Sequence, residues 1–221
     1  MNENDRHQPL PFSEASTLAL PAPGFIDALY RRLDLATDQA LSRLKAEQGI
    51  VPSCRAGCCA CCKQHILATK VEARALTGYI RREFSASRIR ALHERTRRWH
   101  LWDRRRLQRS TSTDGPGVRE PERHLACPLL YKGICSIYPM RPITCRTHFV
   151  STPARYCQHD NDPKLSGRVP RLLSSVVLTT NWFSAMIRYR IEAGGDDYLK
   201  SIMLLPHWLS IEMGWHFDSS F

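Results

Sequence analysis

Long apolar runs are missing from this chain of 221 residues. Nothing approaches the ~18 unbroken apolar residues of a membrane span. The most apolar stretch, near Leu172 to Ile191, is interrupted by Ser174, Ser175, Asn181, Ser184 and Arg188. The N-terminus has no basic segment followed by an apolar core, the mark of a secretory leader. Glu3 and Asp5 come early instead, then Pro9, Pro11, Pro21 and Pro23. Residues 1–23 are therefore expected to be a mobile tail, and the protein to be cytoplasmic, with no membrane partner. Period-two alternation is scarce and no internal repeat is visible, so a strand-based fold has no support. No named nucleic-acid motif is present, and the histidines are scattered without ligand spacing.

What the chain does contain is ordinary for a globular domain, with 43% hydrophobic and 24% charged residues. Residues 24–48 read as an amphipathic helix, with Ile26, Leu29, Tyr30, Leu33, Leu41 and Leu44 at three- and four-residue spacings and Gly49 placed to end it. Thr69-Lys70-Val71-Glu72 is a capping-box pattern that opens a second helix. A third starts at Ser85 or Ser87 and runs to about Gln108, with Ile89, Leu92, Trp99 and Trp102 as its apolar seam. Ser110 to Pro121 is a loop by composition. Residues 127–157 look irregular and proline-rich. Pro170 is expected in the first turn of a long helix to about Ala193, stopped by Gly194-Gly195, and a shorter helix capped by Asp196 should end before Pro206. No strand is expected.

The formal charge is +11. Eight thiolates holding two divalent metals would bring it to +7, so the protein stays basic and an acidic partner is favoured. Arg95, Arg97, Arg98, Arg104, Arg105, Arg106 and Arg109, interleaved with Trp99 and Trp102, admit a nucleic-acid surface. A solvated helix face over buried tryptophans is the favoured reading of the same residues.

Cysteine is the exception to this plain composition. Five of the nine cysteines fall in Cys54-Arg55-Ala56-Gly57-Cys58-Cys59-Ala60-Cys61-Cys62, and the others are Cys127, Cys135, Cys145 and Cys157. In a reducing compartment such usage points to metal or redox chemistry rather than structural disulfides, and an odd number cannot pair completely. Zinc and iron–sulfur clusters both take four thiolates. Cys58 and Cys61 form a CxxC, and Cys54 lies within reach of the same site. The adjacent pair Cys61-Cys62 points to two sites or one polynuclear cluster, because neighbouring side chains diverge on a strand and on a helix.

Three linked motifs carry a resemblance. They are the Cys54, Gly57, Cys58, Cys61 and Cys62 pattern; Cys127-Pro128-Leu129-Leu130 with Gly133-Ile134-Cys135-Ser136-Ile137-Tyr138; and Arg141-Pro142-Ile143-Thr144-Cys145-Arg146, with a later lone Cys157. Over roughly residues 50–160 the chain resembles the YkgJ-type cysteine-cluster family, the zinc- or iron-chelating CxxCxxCC domain. The resemblance implies metal binding by Cys54, Cys58, Cys61, Cys62, Cys127, Cys135, Cys145 and Cys157, and leaves Cys59 as an extra thiol. Arg141 and Arg146 are candidates to hydrogen-bond sulfur or to pair at the surface. His148 is a candidate replacement ligand, although a hydrogen-bonded structural role is favoured.

The expected architecture is mainly α, with several helices packed around an irregular, proline-rich cysteine cluster that binds metal. Residues 24–221 form one domain, with motif core 50–160, helical insertion 69–109 and C-terminal helices 170–213. The expected function is a metal-binding iron–sulfur or zinc protein, redox-active or acting in the maturation or modification of another molecule. Cys127-Pro128 tilts the cofactor towards iron, as in ferredoxin-type runs. A structural zinc module that binds protein or nucleic acid is the alternative, and a polynuclear site activating a substrate is a third class. Cys54-x3-Cys58-x2-Cys61 also has the radical S-adenosylmethionine spacing, but that reading requires alternating strands and helices and leaves Cys62 unexplained.

Overall fold

Helix α1 (Ala22–Gln48) follows from its apolar period. Phe25, Ile26, Leu29, Tyr30, Leu33, Ala36, Thr37, Ala40 and Leu44 are all buried along one stripe. Gly49 stops it with φ of +65°, where its amide bonds the Lys45 carbonyl and that of Ile50 bonds Leu44. This computed structural model describes residues 22–55, 57–111, 125–165, 167–179 and 181–217. The expected tail lies outside the described residues apart from 22 and 23, which begin α1, and so does most of the expected 110–121 loop.

Strand β1 (Leu67–Thr69) runs directly into helix α2 (Lys70–Glu83) through the capping box expected from sequence. The Glu72 amide bonds Thr69 Oγ1 at 3.4 Å, and Glu72 Oε2 accepts the amide and hydroxyl of Thr69, both at 2.9 Å. Helix α3 (Ala86–Thr111) follows, with Leu92, Thr96, Trp99 and Asp103 buried along its inner face. Ser85 precedes it and accepts the Arg88 amide.

The cysteine-bearing segment between residues 125 and 161 is built of short pieces. Strands β2 (Leu130–Tyr131) and β3 (Ile134–Cys135) form a hairpin in register Leu130↔Cys135 and Tyr131↔Ile134. Its two-residue turn has Lys132 at φ +50° and Gly133 at φ +78°, the left-handed pair that matches strand twist. Short helix α4 (Ile143–Arg146) carries Cys145.

The C-terminal part departs from expectation in three places. The single helix expected from Pro170 is two, α5 (Ser174–Thr179) and α6 (Asn181–Ala193). The first of them also starts later than expected, because the backbone before α5 is committed elsewhere: Leu173 N bonds Phe149 O, Ser151 N bonds Arg171 O, and Leu172 bridges Val150. Pro206 does not close a helix but sits in the first turn of α7 (Leu205–Met213), where its missing amide hydrogen costs nothing. Between them, β4 (Ile202–Leu204) pairs antiparallel with β1, so strands do occur. Three-residue strands are too short to register as a sequence period.

Two main cores result. Helices α1 and α6 enclose Met140 and Ile143. Helices α2, α3 and α7 enclose Leu129 and Ile137, with Cys127, Cys135 and Cys145 against this core. A smaller cluster of Ala40, Leu44, Leu173 and Val176 joins α1 to α5. The architecture is mainly helical, and among the described residues no helix is long and apolar enough to cross a membrane.

The two cores meet at Glu72, which is 4% exposed. Its Oε1 accepts the Tyr30 hydroxyl at 3.0 Å and the Ile143 amide at 2.8 Å. Glu72→Ala would strand these donors and the Thr69 amide. The expected loss is about 3 kcal/mol or more, since hydrogen bonds to charged groups contribute ~1.5–3 kcal/mol each. Glu72→Gln should cost less, keeping one oxygen acceptor. Denaturant midpoints of the purified variants test this, and a Glu72→Ala midpoint equal to the parent's would refute it.

Candidate metal centre

Two backbone hydrogen bonds bring the halves of the cysteine motif together. Ser53 N bonds Val150 O at 2.9 Å, and Cys127 N bonds Cys62 O at 2.7 Å. Cys61 and Cys62 lie in a 3-10 turn over Ala60–Lys63, which packs on a second 3-10 segment, Ala154–Asn161, carrying Cys157. Gln64 Nε2 reaches the Cys157 carbonyl at 3.3 Å, and Lys63 Nζ reaches Gln158 Oε1 at 3.2 Å.

The thiols fall into two neighbourhoods. Cys54, Cys58, Cys61 and Cys157 gather with Ala60, Val150 and Ala154. Charge on Cys58 or Cys61 raises the pKa of Cys54, and charge on Cys61, Cys54 or Cys58 raises that of Cys157. Cys62, Cys127, Cys135 and Cys145 form the second neighbourhood. Charge on Cys127 and Cys135 acts on Cys62, and charge on Cys127, Cys61 and Cys135 acts on Cys145. Cys61 acts on both groups, so the Cys61–Cys62 step is where they join. Among the interactions described, Cys59 enters neither group; its carbonyl accepts the Cys62 amide.

Burial dominates the thiol chemistry. It raises Cys54, Cys135 and Cys145, and pushes Cys127 up to about 12 and Cys157 to about 11. Backbone amides oppose it: Val150 N–H donates to Cys54 Sγ at 3.4 Å, and the amides of Leu129 and Ile137 favour the thiolates of Cys127 and Cys135. The Cys61–Cys62 pair shares a hydrogen bond that lowers Cys61 and raises Cys62, so one of the two ionises readily and the other holds its proton.

Arg141 favours the thiolates of Cys61, Cys135 and Cys145, its guanidinium lying 3.6 Å from the Tyr138 ring centroid. Arg146 takes the second of its two expected roles, pairing with the half-exposed Asp34, but from a buried position. It is buried, forks onto both oxygens of Asp34 at 2.7 and 2.6 Å, donates to the carbonyls of Arg141 and Pro139, and lies over the Tyr30 ring. His148 lines the first neighbourhood. Its carbonyl accepts the Cys54 thiol at 3.5 Å and its Nε2 is 3.7 Å from Cys157 Sγ, while burial lowers its pKa.

The sequence reading did not identify the amide of Val150 as a sulfur partner, nor Asp34 as the anchor of Arg146. No pattern announces a backbone donor 96 residues away from its acceptor. It also missed Asp103, buried on α3, which accepts Arg106 and pairs with His207 of α7 at 3.1 Å. Several arginines of α3 have intramolecular partners: Arg95 on the Pro128 carbonyl, Arg97 and Arg98 on Glu94, Arg104 on the Phe217 carbonyl.

Among the described residues, no three Cys, His, Asp or Glu side chains are already arranged to hold a metal ion, so binding would draw the sulfurs inward. The donors nonetheless fit a soft or borderline metal in kind and number, with eight thiols in two neighbourhoods, amide donors on sulfur and a guanidinium alongside. This is a metal-chelating cysteine cluster. Residues 53–161 match the CxxCxxCC family model, described as "Putative zinc- or iron-chelating domain". No curated protein and no solved structure matches the chain significantly.

The raised thiols make a pH prediction for the reduced, metal-free protein. A group whose pKa is higher folded than unfolded stabilises below the unfolded value, here 9.0, and loses that contribution as pH rises through the folded value. Metal-free protein should therefore weaken between pH 9 and about 12, and Cys127→Ala should flatten that slope. Urea midpoints measured across this range in reductant are the test, and a flat parent profile counts against it.

Proposed function

We propose that the chain binds zinc or iron through two joined four-thiolate sets, Cys54, Cys58, Cys61 and Cys157, and Cys62, Cys127, Cys135 and Cys145. The observation that carries this reading is the division of the adjacent pair. Cys61 is grouped with the first set and Cys62 interacts with thiols of the second. A bound metal would supply the positive charge that eight closely spaced thiolates need. It would also clip the 53–64 segment to the 127–157 segment, stabilising the fold by restricting the unfolded chain. Arg141 offsets negative charge at the join, and Cys59 stays a free thiol.

An iron centre makes the protein a redox carrier or a participant in maturing another molecule. A zinc centre makes it a structural adaptor for an acidic partner in the cytoplasm. Protein purified without air separates the two, since an iron–sulfur protein is brown and a zinc protein is colourless.

Cys59→Ser should keep the parent's metal content and folding, whereas Cys58→Ser, Cys61→Ser and Cys62→Ser should each lose metal, because soft-metal sites replace thiolate poorly with water. The measurement is metal per chain on anaerobic samples, where thiol oxidation does not imitate ligand loss. Equal loss in Cys59→Ser and Cys61→Ser would refute the assignment, and anaerobic parent protein that holds neither zinc nor iron when both are supplied would refute the whole reading.

A further inference from the structure

All nine cysteines lie in two stretches without a carboxylate, since residues 48–71 and 123–159 contain no Asp or Glu. The most exposed part of the second stretch is the β2–β3 hairpin with the turn that follows it. Tyr131 is 52% exposed, Ile134 63% and Tyr138 43%. Tyr131 and Ile134 are direct cross-strand partners, so their side chains share one face. Cations surround this apolar face. Lys132 lies 5.5 Å and Arg95 5.2 Å from the Tyr131 ring centroid, and Arg141 lies over Tyr138.

We propose that this hairpin face docks an acidic segment of another protein that carries apolar side chains. Exposed apolar side chains beside three cations, in a stretch of sequence without Asp or Glu, complement such a segment in both respects. Single-stranded nucleic acid fits less well. It would need open aromatic faces for base stacking, whereas both tyrosines already carry cations over their rings, and Ile134 offers no stacking surface. The hairpin is bracketed by Cys127 and Cys135, so the docked segment lies beside the second thiol set. The inference rests on the hairpin rather than on the metal reading, because the register and the Lys132-Gly133 turn are backbone features.

The test is fluorescence anisotropy on the full, metal-analysed chain with three labelled probes of equal charge. They are a peptide alternating glutamate with leucine and phenylalanine, an oligoglutamate, and an oligothymidylate. The mixed peptide should bind tightest at physiological salt. Ile134→Ser and Lys132→Asn should each weaken it about fivefold or more. Asparagine tolerates the left-handed backbone at this turn position, and both variants should retain the parent's metal content and thermal midpoint. Retained metal content with lost binding separates this surface from the centre. Equal binding by the oligoglutamate, equal or tighter binding by the oligothymidylate, no binding of the mixed peptide, or unchanged affinity in both variants would each overturn the proposal.

Discussion

The Glu72 carboxylate is the point at which the helical scaffold and the cysteine segment are joined. One oxygen is held by Thr69 and so fixes the start of α2. The other takes the Tyr30 hydroxyl from α1 and the Ile143 amide that opens α4. A charge at this depth is tolerated only because donors on three elements solvate it. Once they do, the N-terminus of α4, and with it Cys145, has one position relative to both cores. Arg146 repeats the constraint one turn later by gripping Asp34 and lying over Tyr30. Two charged side chains of opposite sign, both contacting Tyr30, therefore hold the short helix that carries a thiol. The other cysteine segments are held by backbone hydrogen bonds between loops and by single side-chain bonds, from Gln64 to the Cys157 carbonyl, from Lys63 to Gln158 and from Arg95 to the Pro128 carbonyl.

That division of labour explains what the sequence made legible. The long helices, the Gly49 stop and the Thr69–Glu72 capping box are local features, written in spacing and residue type within a few positions of where they act. The cysteine motifs were legible for a related reason, because thiolates at CxxC spacing have few other uses in a reducing compartment. The capping role of Glu72 could be read, but its role as a junction could not, because Tyr30 is 42 residues before it and Ile143 is 71 after it. The partner of Arg146 was hidden in the same way. Its place beside Cys145 in sequence suggested sulfur, and only the fold brings Asp34 within reach. The start of α5 at Ser174 rather than near Pro170, and the position of Pro206, were likewise set by strand and loop pairings too short to leave a period.

The site was legible as a set of residues and not as a geometry. Adjacency of Cys61 and Cys62 already implied that two environments meet there, since neighbouring side chains diverge. What the sequence did not contain was the partition. Cys157 lies nearest in sequence to Cys145, yet its neighbours are Cys54, Cys58 and Cys61. The 3-10 turn over Ala60–Lys63 decides this by packing against Ala154–Asn161.

Charge supplies the last link between the centre and its surface. A thiolate raises the cost of ionising its neighbours, as the effects of Cys135 on Cys127, of Cys61 on Cys135, and of Cys127 and Cys135 on Cys145 record. A carboxylate placed among them would add to that cost, and a guanidinium lowers it, as Arg141 does for three of the thiols. Absence of Asp and Glu from both cysteine stretches therefore serves the ionisation of sulfur. The same absence leaves Lys132 and Arg141 without a carboxylate in their own stretch of sequence, beside the exposed apolar side chains of the β2–β3 hairpin. One electrostatic requirement, that neighbouring buried thiols be able to ionise, thus accounts for the lack of Asp and Glu in the two cysteine stretches and for the cations beside the hairpin.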